Sequence, residues 1–321
     1  MTDIQELSRR IDLEDVAATT DLLVSSIRDT ARHFRRTGAI VALSGGIDSS
    51  ACLGLAVRAL GPKRVVALTL PDKESSVETV GYAQEVADAF GVELLHRDIT
   101  APLDALGCYD DRLAVVRRIV PEFDADAGDR YSVEFDPALG NDEQLQSFRL
   151  NVIRGGEQTM HRLGGRDFLT IMAATNQKQR IRMLSTYRIA DERNQIVVGT
   201  SNRLELDQGF YVKHGDGCGE VFPLRHLLKS HVYEVAAHIG VPESVQKRPP
   251  TTDTFSAPQS QEEYFYGTSV RTNDELWLAW DQKEDAGATA ERLGLSTSDV
   301  EKFFELYTRR SLYAEYLLTS L

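Results

Sequence analysis

Ser44-Gly45-Gly46-Ile47-Asp48-Ser49-Ser50 is the stretch whose residue types could do chemistry. The apolar run Ala39 to Leu43 before it reads as a buried strand, and a helix is predicted from about Asp48 to Leu60. A turn between such elements leaves unpaired backbone N–H groups and the positive end of a helix dipole where an anion can sit. Gly45 and Gly46 allow the backbone to approach a pyrophosphate closely. Ser44, Ser49 and Ser50 add hydroxyl donors. Asp48 would repel phosphate unless a cation bridged them, and Mg²⁺ takes oxygen ligands from carboxylate and phosphate together. No Gly-Lys-Ser/Thr follows, so this is not a Walker A loop. Alone, a Ser/Gly-rich turn of this kind is often only a turn.

The elements that must hold this loop are legible on either side of it. Residues 12–36 carry apolar positions at helical spacing (Val16, Leu22, Leu23, Ile27, Ala31, Phe34) and read as a helix for packing or dimer contact. The helix after the loop ends at Gly61-Pro62, and Arg64 to Leu70 is a second strand closed by Pro71. A helix over 76–90 stops at Gly91, and Val92 to Leu95 is a third strand. Strand–helix alternation predicts an α/β fold: a doubly wound, mostly parallel sheet with helices on both faces, binding ligands at the carboxyl ends of its strands. Residues 100–166 break the rhythm with acidic, Pro/Gly-punctuated pieces and read as irregular structure with two helices inside, a connection long enough to be functional. Regularity resumes with a helix over 167–187, the strand Gln195 to Gly199, a helix over 229–239 and a helical region over 273–320.

The chain has 321 residues, 42% hydrophobic and 26% charged, ordinary for a soluble globular protein. A formal net charge of −13 argues against general nucleic-acid binding. Cys52, Cys108 and Cys218 are widely spaced without a CxxC pair, which suggests neither a zinc site nor a disulfide framework. His214, His226 and His231 lack metal-like spacing with carboxylates. No signal-peptide pattern opens the chain and no apolar run reaches membrane-span length, so a cytoplasmic protein with no membrane partner is expected.

Ser44-Gly45-Gly46-Ile47-Asp48-Ser49 resembles the signature of the ATP pyrophosphatase (PP-loop) superfamily. Further segments resemble the NAD synthetase family within it. They are Asn176-Gln-Lys-Gln-Arg-Ile-Arg-Met183, with Gln179 where Ala is usual; Val198-Gly-Thr-Ser-Asn-Arg-Leu-Glu205; Gly209-Phe-Tyr-Val-Lys-His-Gly-Asp-Gly217; and Pro223-Leu through Lys229 to Lys247-Arg-Pro-Pro-Thr251. The resemblance covers roughly residues 35–100 and 170–270, and it implies an adenine nucleotide alpha hydrolase-like fold in one domain spanning 1–321. It also implies ATP-dependent amide synthesis. A carboxylate, that of nicotinic acid adenine dinucleotide, attacks the α-phosphate of ATP, and ammonia then displaces AMP to leave NAD⁺.

Carried over by position, the resemblance places Ser44, Gly45, Gly46, Ile47, Asp48, Ser49, Ser50 and Ala51 around the ATP phosphates, with Leu70 and Thr200 lining the ATP site and Lys229 and Thr251 on phosphates. Asp48 and Glu205 become Mg²⁺ ligands. Arg180, Lys213 and Glu220 fall to the acid substrate, and Asp48, Lys213 and Lys229 to catalysis. Read singly, Lys213 and Lys229 are surface lysines, Glu205 a solvated helix residue, and Arg180 and Arg182 partners in helix salt bridges. The family also implies a homodimer. With only 43 residues before the loop, ammonia is expected free or from a separate glutaminase subunit.

The departures concern the acid. Glu220 stands where the family has Asp, Thr308-Arg309 where it has a His-Lys pair, and the connection from Asp98 to Asn176 is about twice the family's length. The alternative is therefore a related amide synthetase acting on another carboxylate. A tRNA-modifying PP-loop enzyme is disfavoured by charge and by the missing cysteine pair. A nucleotide-binding protein with a decayed site is disfavoured by the retention of Asp48, Glu205 and Lys229.

Overall fold

Short apolar segments that cannot be left in water organise the molecule. The computed structural model describes residues 11–135, 148–248, 255–257 and 268–318. In chain order the first half gives α1 (Val16–His33), β1 (Gly38–Ala42), α2 (Ile47–Leu60), β2 (Val65–Thr69), α3 (Val77–Phe90) and β3 (Glu93–His96). Then come α4 (Thr100–Ala105), α5 (Cys108–Ile119), β4 (Arg130–Phe135), β5 (Phe148–Arg154), β6 (Glu157–Arg162), α6 (Gly165–Arg193) and β7 (Gln195–Val198). The C-terminal part adds α7 (Arg203–Asp207), α8 (Lys229–Ile239), α9 (Glu243–Gln246), α10 (Val270–Asp281), α11 (Ala286–Leu293) and α12 (Thr297–Leu318).

The central sheet has four parallel strands in the order β3-β2-β1-β7. Its register pairs Ala39 with Val65 on one side of β1 and with Ile196 on the other. Both faces are covered, as parallel strands require. Ala39 and Val41 enter a cluster with Leu23 and Ile27 of α1, Leu53 and Leu55 of α2, and Val232 and Val235 of α8. Ile40, pointing the other way, joins Leu103, Tyr109, Met183 and Ile189 from α4, α5 and α6. Burying each such aliphatic side chain contributes about 1.5–3 kcal/mol. The expected doubly wound α/β architecture is the observed one. Because β2 and β7 leave β1 in opposite directions, the crevice beyond the carboxyl ends of β1 and β7 is a topological switch point, where such sheets bind ligands.

Local signals set the boundaries. Ser76 caps α3, its hydroxyl accepting from the Glu78 N–H at 3.3 Å, and Gly91 ends the helix in the left-handed conformation with φ 63°. α6 ends the same way at Asn194, φ 53°.

Residues 100–166 hold the two expected helices, α4 and α5, and their described part also holds strands where irregular structure was expected; residues 136–147 lie outside the described residues. β4, β5 and β6 form a three-stranded antiparallel sheet. Gly155 and Gly156, at φ 54° and 87°, make the β5–β6 turn with the positive φ values a two-residue hairpin demands. Tyr131 and Val133 alternate with polar neighbours on β4, as do Leu150 and Val152 on β5, and they bury a separate cluster with Val115, Val116, Leu163 and Ile171. The helical C-terminal region is three helices around Trp277 and Tyr307.

Candidate active site

The Ser44 loop leaves β1 at the switch point. Leu43 N–H still donates to Leu68 O at 2.8 Å, and the chain then turns through Gly45 at φ 71°. A Cβ at Gly45 would stand 2.7 Å from Tyr82 Cβ and 2.9 Å from Thr79 O, so only glycine fits. The hydroxyls pre-form the turn: Gly46 N–H donates to Ser44 Oγ at 3.3 Å, and Ser49 and Ser50 donate to Gly46 O at 3.0 and 2.8 Å. Gly46, the N-cap of α2, has no side-chain oxygen to cap the first turn, so that turn can serve an anion.

This loop forms one end of a cavity of about 730 Å³. Ser44, Gly46, Ile47, Asp48, Ser49, Leu70, Thr200, Glu205 and Lys229, distant in sequence, all line it. Gly45 lies behind the lining against α3, and Ser50 and Ala51 are fully buried inside the wall. Thr251 lies outside the described residues. From Phe168 to Thr186 the lining follows α6 through five turns, about 27 Å at 1.5 Å per residue.

Charge is concentrated beside the loop. Lys229, 1% exposed, is ion-paired with Asp48. Asn202 Nδ2 donates to Asp48 Oδ1 at 3.1 Å. Asn202 also forms a reciprocal cap with Glu205: the Glu205 N–H donates to Asn202 Oδ1 at 3.1 Å, and the Asn202 N–H donates to Glu205 Oε2 at 3.2 Å. Asn202 thereby fixes the two carboxylates relative to each other, a role the sequence reading missed. Burial, then the nearby Asp48 charge, pushes the Glu205 carboxyl up to about 8. Burial works against the Lys229 ammonium, but Asp48 and Glu205 outweigh it and hold its pKa above the ordinary value. Two carboxylates share one lysine, and a hard cation bound there would compete for the proton that burial and the Asp48 charge hold on Glu205. Among the described residues no set of three or more His, Cys, Asp or Glu side chains converges as a metal cage. Two carboxylates plus substrate phosphates is the usual Mg²⁺ arrangement, so these residues fit that ion.

Asp274 of α10 supports the helix that carries Lys229, accepting from the Ser230 N–H at 2.7 Å. Burial pushes its carboxyl from 3.8 up to about 6. The folded protein thus holds this proton more tightly than the unfolded chain. The contribution to stability is greatest below pH about 4 and declines as pH rises towards about 6. Urea midpoints of the wild type and Asp274→Asn across this window should fall more steeply in the wild type, the buried Asp216 and Glu205 acting equally in both; parallel profiles would refute it.

The cavity wall also holds a buried charge cluster that sequence reasoning did not find. Lys178 Nζ donates to Asp72 Oδ1 at 3.1 Å and to Glu74 Oε2 at 2.7 Å. Glu74 is ion-paired with the fully buried Arg112, and Arg182 Nη2 donates to Asp72 Oδ2 at 3.2 Å and Arg182 Nε to Leu70 O at 3.1 Å. Burial raises the Asp72 carboxyl, but Lys178 and Arg182 overcome this and leave it below its ordinary value. The available signal was positional: Asp72 and Glu74 follow a strand's carboxyl end, where such sheets bind ligands.

The residues expected at the acid are placed apart. Arg180 Nε donates to Lys213 O at 3.3 Å, and Lys213 Nζ lies over the Tyr316 ring, 5.0 Å from its centroid. These two meet each other but do not line the cavity. Glu220 is occupied structurally, accepting from Tyr187 OH at 2.9 Å and from the Val197 N–H at 2.6 Å.

An open parallel sheet with a phosphate-sized loop, a lysine and two carboxylates at its switch point defines an α/β nucleotide-binding protein. The sequence matches the NAD synthase family over residues 19–114 and 152–314, and the chain belongs to that family. It is 40% identical over 298 residues to the NH(3)-dependent NAD(+) synthetase of Rhizobium rhizogenes, covering 92% of this chain and 89% of that protein. It is 44% identical over 252 residues to the enzyme of the same name from Rhizobium meliloti, covering 78% and 75%. The fold is similar to that of the NH3-dependent NAD synthetase from Campylobacter jejuni in complex with nitrate, at TM-score 0.61 and 20% identity over 94% of this chain and 96% of that one. Among the described residues no helix is long and apolar enough to cross a membrane.

Proposed function

We propose that the chain, acting over 1–321 as one unit and as a homodimer, is an ammonia-dependent NAD⁺ synthetase. The supporting observation is the convergence of the Ser44 loop, Asp48, Glu205 and Lys229 on one cavity, in a chain 40% identical to proteins of that name. In this reading the open amides of the Ser44–Ser49 turn and the Ser44 and Ser49 hydroxyls hold the β- and γ-phosphates of ATP. Lys229, kept charged by its carboxylate neighbours, neutralises the oxygens of the pyrophosphate that departs. Asp48 and Glu205 hold Mg²⁺, which when bound would offset charge on the phosphates.

The nicotinate carboxylate is already ionised at neutral pH, so no base is needed for the first step. Its oxygen attacks the α-phosphorus, the bond to the β-phosphate oxygen breaks, and an acyl-adenylate and pyrophosphate form. Ammonia then adds to the acyl carbon, loses a proton and expels AMP, leaving the amide. The protein contributes chiefly position and charge neutralisation. Ammonia is taken directly from solution, in keeping with the relatives' names. Arg180, Lys213 and Glu220 are kept as acid-side residues, and the large exposed side chains Leu312, Tyr313 and Tyr316 of α12 are offered as part of the homodimer contact.

The test supplies ATP, Mg²⁺, ammonium and nicotinic acid adenine dinucleotide and follows AMP and NAD⁺ together. Equal, Mg²⁺-dependent formation of both is expected. AMP release with some other carboxylic acid and none with the dinucleotide would overturn the proposal in favour of a related amide synthetase.

A further inference from the structure

The cavity is polarised along α6. At one end are the phosphate loop, Asp48 and Lys229; at the other, the lining residues from the first turns of α6 are Phe168, Leu169, Met172 and Thr175, all uncharged. Phe148, the first residue of β5, stacks on Phe168 with ring centroids 3.8 Å apart and planes 12° from parallel, and both line the cavity. Leu169 is 66% exposed, an apolar side chain left facing a ligand cavity. Phe148 lies outside the stretches matched to the family, which skip 115–151. It is nevertheless held in place by the antiparallel sheet's own core, whose cluster includes Leu150, Val152, Leu163 and Ile171. An aromatic and aliphatic wall on a well-packed support suits a flat, weakly polar ligand group and not a phosphate.

We propose that the antiparallel sheet of β4, β5 and β6 completes the active site, its Phe148 bracing Phe168 so that Phe168 and Leu169 seat the planar nitrogen heterocycle of a nucleotide substrate. ATP and nicotinic acid adenine dinucleotide both carry such a ring. The identity of the ligands rests on the amidation reading; the shape and chemistry of the wall do not.

Calorimetry of the intact protein with each nucleotide separately, in Mg²⁺ and without ammonium, tests this. Phe168→Leu keeps bulk but removes the ring, and should weaken one nucleotide about ten-fold while the other stays within about two-fold. The arm that moves names the source of the ring. Phe168→Tyr should bind like the wild type. Leu169→Ser, at a position too exposed to threaten folding, should weaken the same arm about three-fold. Unchanged binding of both nucleotides, or equal loss of both, overturns the proposal. The wild type's failure to form NAD⁺, with the selective binding loss still present, would instead overturn only the amidation reading.

Discussion

Asp48→Asn is expected to lower turnover by about 10³-fold or more, about 4 kcal/mol of transition-state stabilisation, while the protein stays folded. The side chain keeps its shape, so an oxygen remains to accept from Asn202 Nδ2. The charge is lost where it pairs with Lys229 and where, in the proposed function, it would help to hold Mg²⁺. With the Asp48 charge gone, one cause that holds the Glu205 carboxyl up is removed, and Glu205 is left as the carboxylate partner of the buried lysine, which spares the fold. Steady-state AMP formation, with circular dichroism as the folding control, decides the matter. A variant retaining near-normal turnover would remove Asp48 from the metal and from catalysis.

Lys178→Met should be the most destabilising of the single changes considered. Lys178 is 1% exposed, and its removal strips the shared partner from Asp72 and Glu74, both enclosed in the same wall. Asp72 keeps Arg182 and Glu74 keeps Arg112, so the loss is that of two charge-assisted hydrogen bonds from a buried ammonium, about 3 kcal/mol or more at about 1.5–3 kcal/mol each. In a 321-residue chain, with an unfolding entropy of about 2.1 cal/mol/K per residue, about 3 kcal/mol corresponds to a fall in Tm of about 4–5 °C. The double variant Lys178→Met/Asp72→Asn should recover part of that loss, because a buried carboxylate left with Arg182 alone against its desolvation is made neutral. A Tm for Lys178→Met within a degree of wild type would show that the cluster is not load-sharing.

The legible parts of the fold were those in which one local rule decides. β1, β2 and β7 are short apolar runs bounded by Gly, Pro or Ser, and α3 and α8 carry their own end signals at Gly91 and Gly240, so these elements appear where the residue pattern puts them. The antiparallel sheet was missed because acidic and Pro/Gly-rich neighbours dominate residues 100–166, although the alternation of Tyr131 with Val133 and the Gly155-Gly156 turn were readable. The Ser44 loop, Asp48, Glu205 and Lys229 were legible as a group because they keep their order and spacing, and the fold brings them to one cavity. The Lys178 cluster was not: a lysine within a polar helical motif reads as solvated, and only the fold brings Asp72 and Glu74 within reach of it. Arg180 and Lys213 do not line the cavity, and Glu220 accepts from Tyr187 and the Val197 N–H, so their part at the acid stays a proposal resting on motif position.

The long helix α6 connects the two halves of the cavity without a break, and this has a consequence for how the chain can vary. A helix acts as a ruler with a fixed phase: deleting one residue within it would draw Phe168 about 1.5 Å closer to Thr186 and turn it by about 100° away from the cavity. Residues can be gained or lost without this penalty only before the helix begins. The stretch skipped by the family match, 115–151, ends ahead of Gly165. The ring end of the cavity can therefore be rebuilt for a new ligand while the phosphate end keeps its setting.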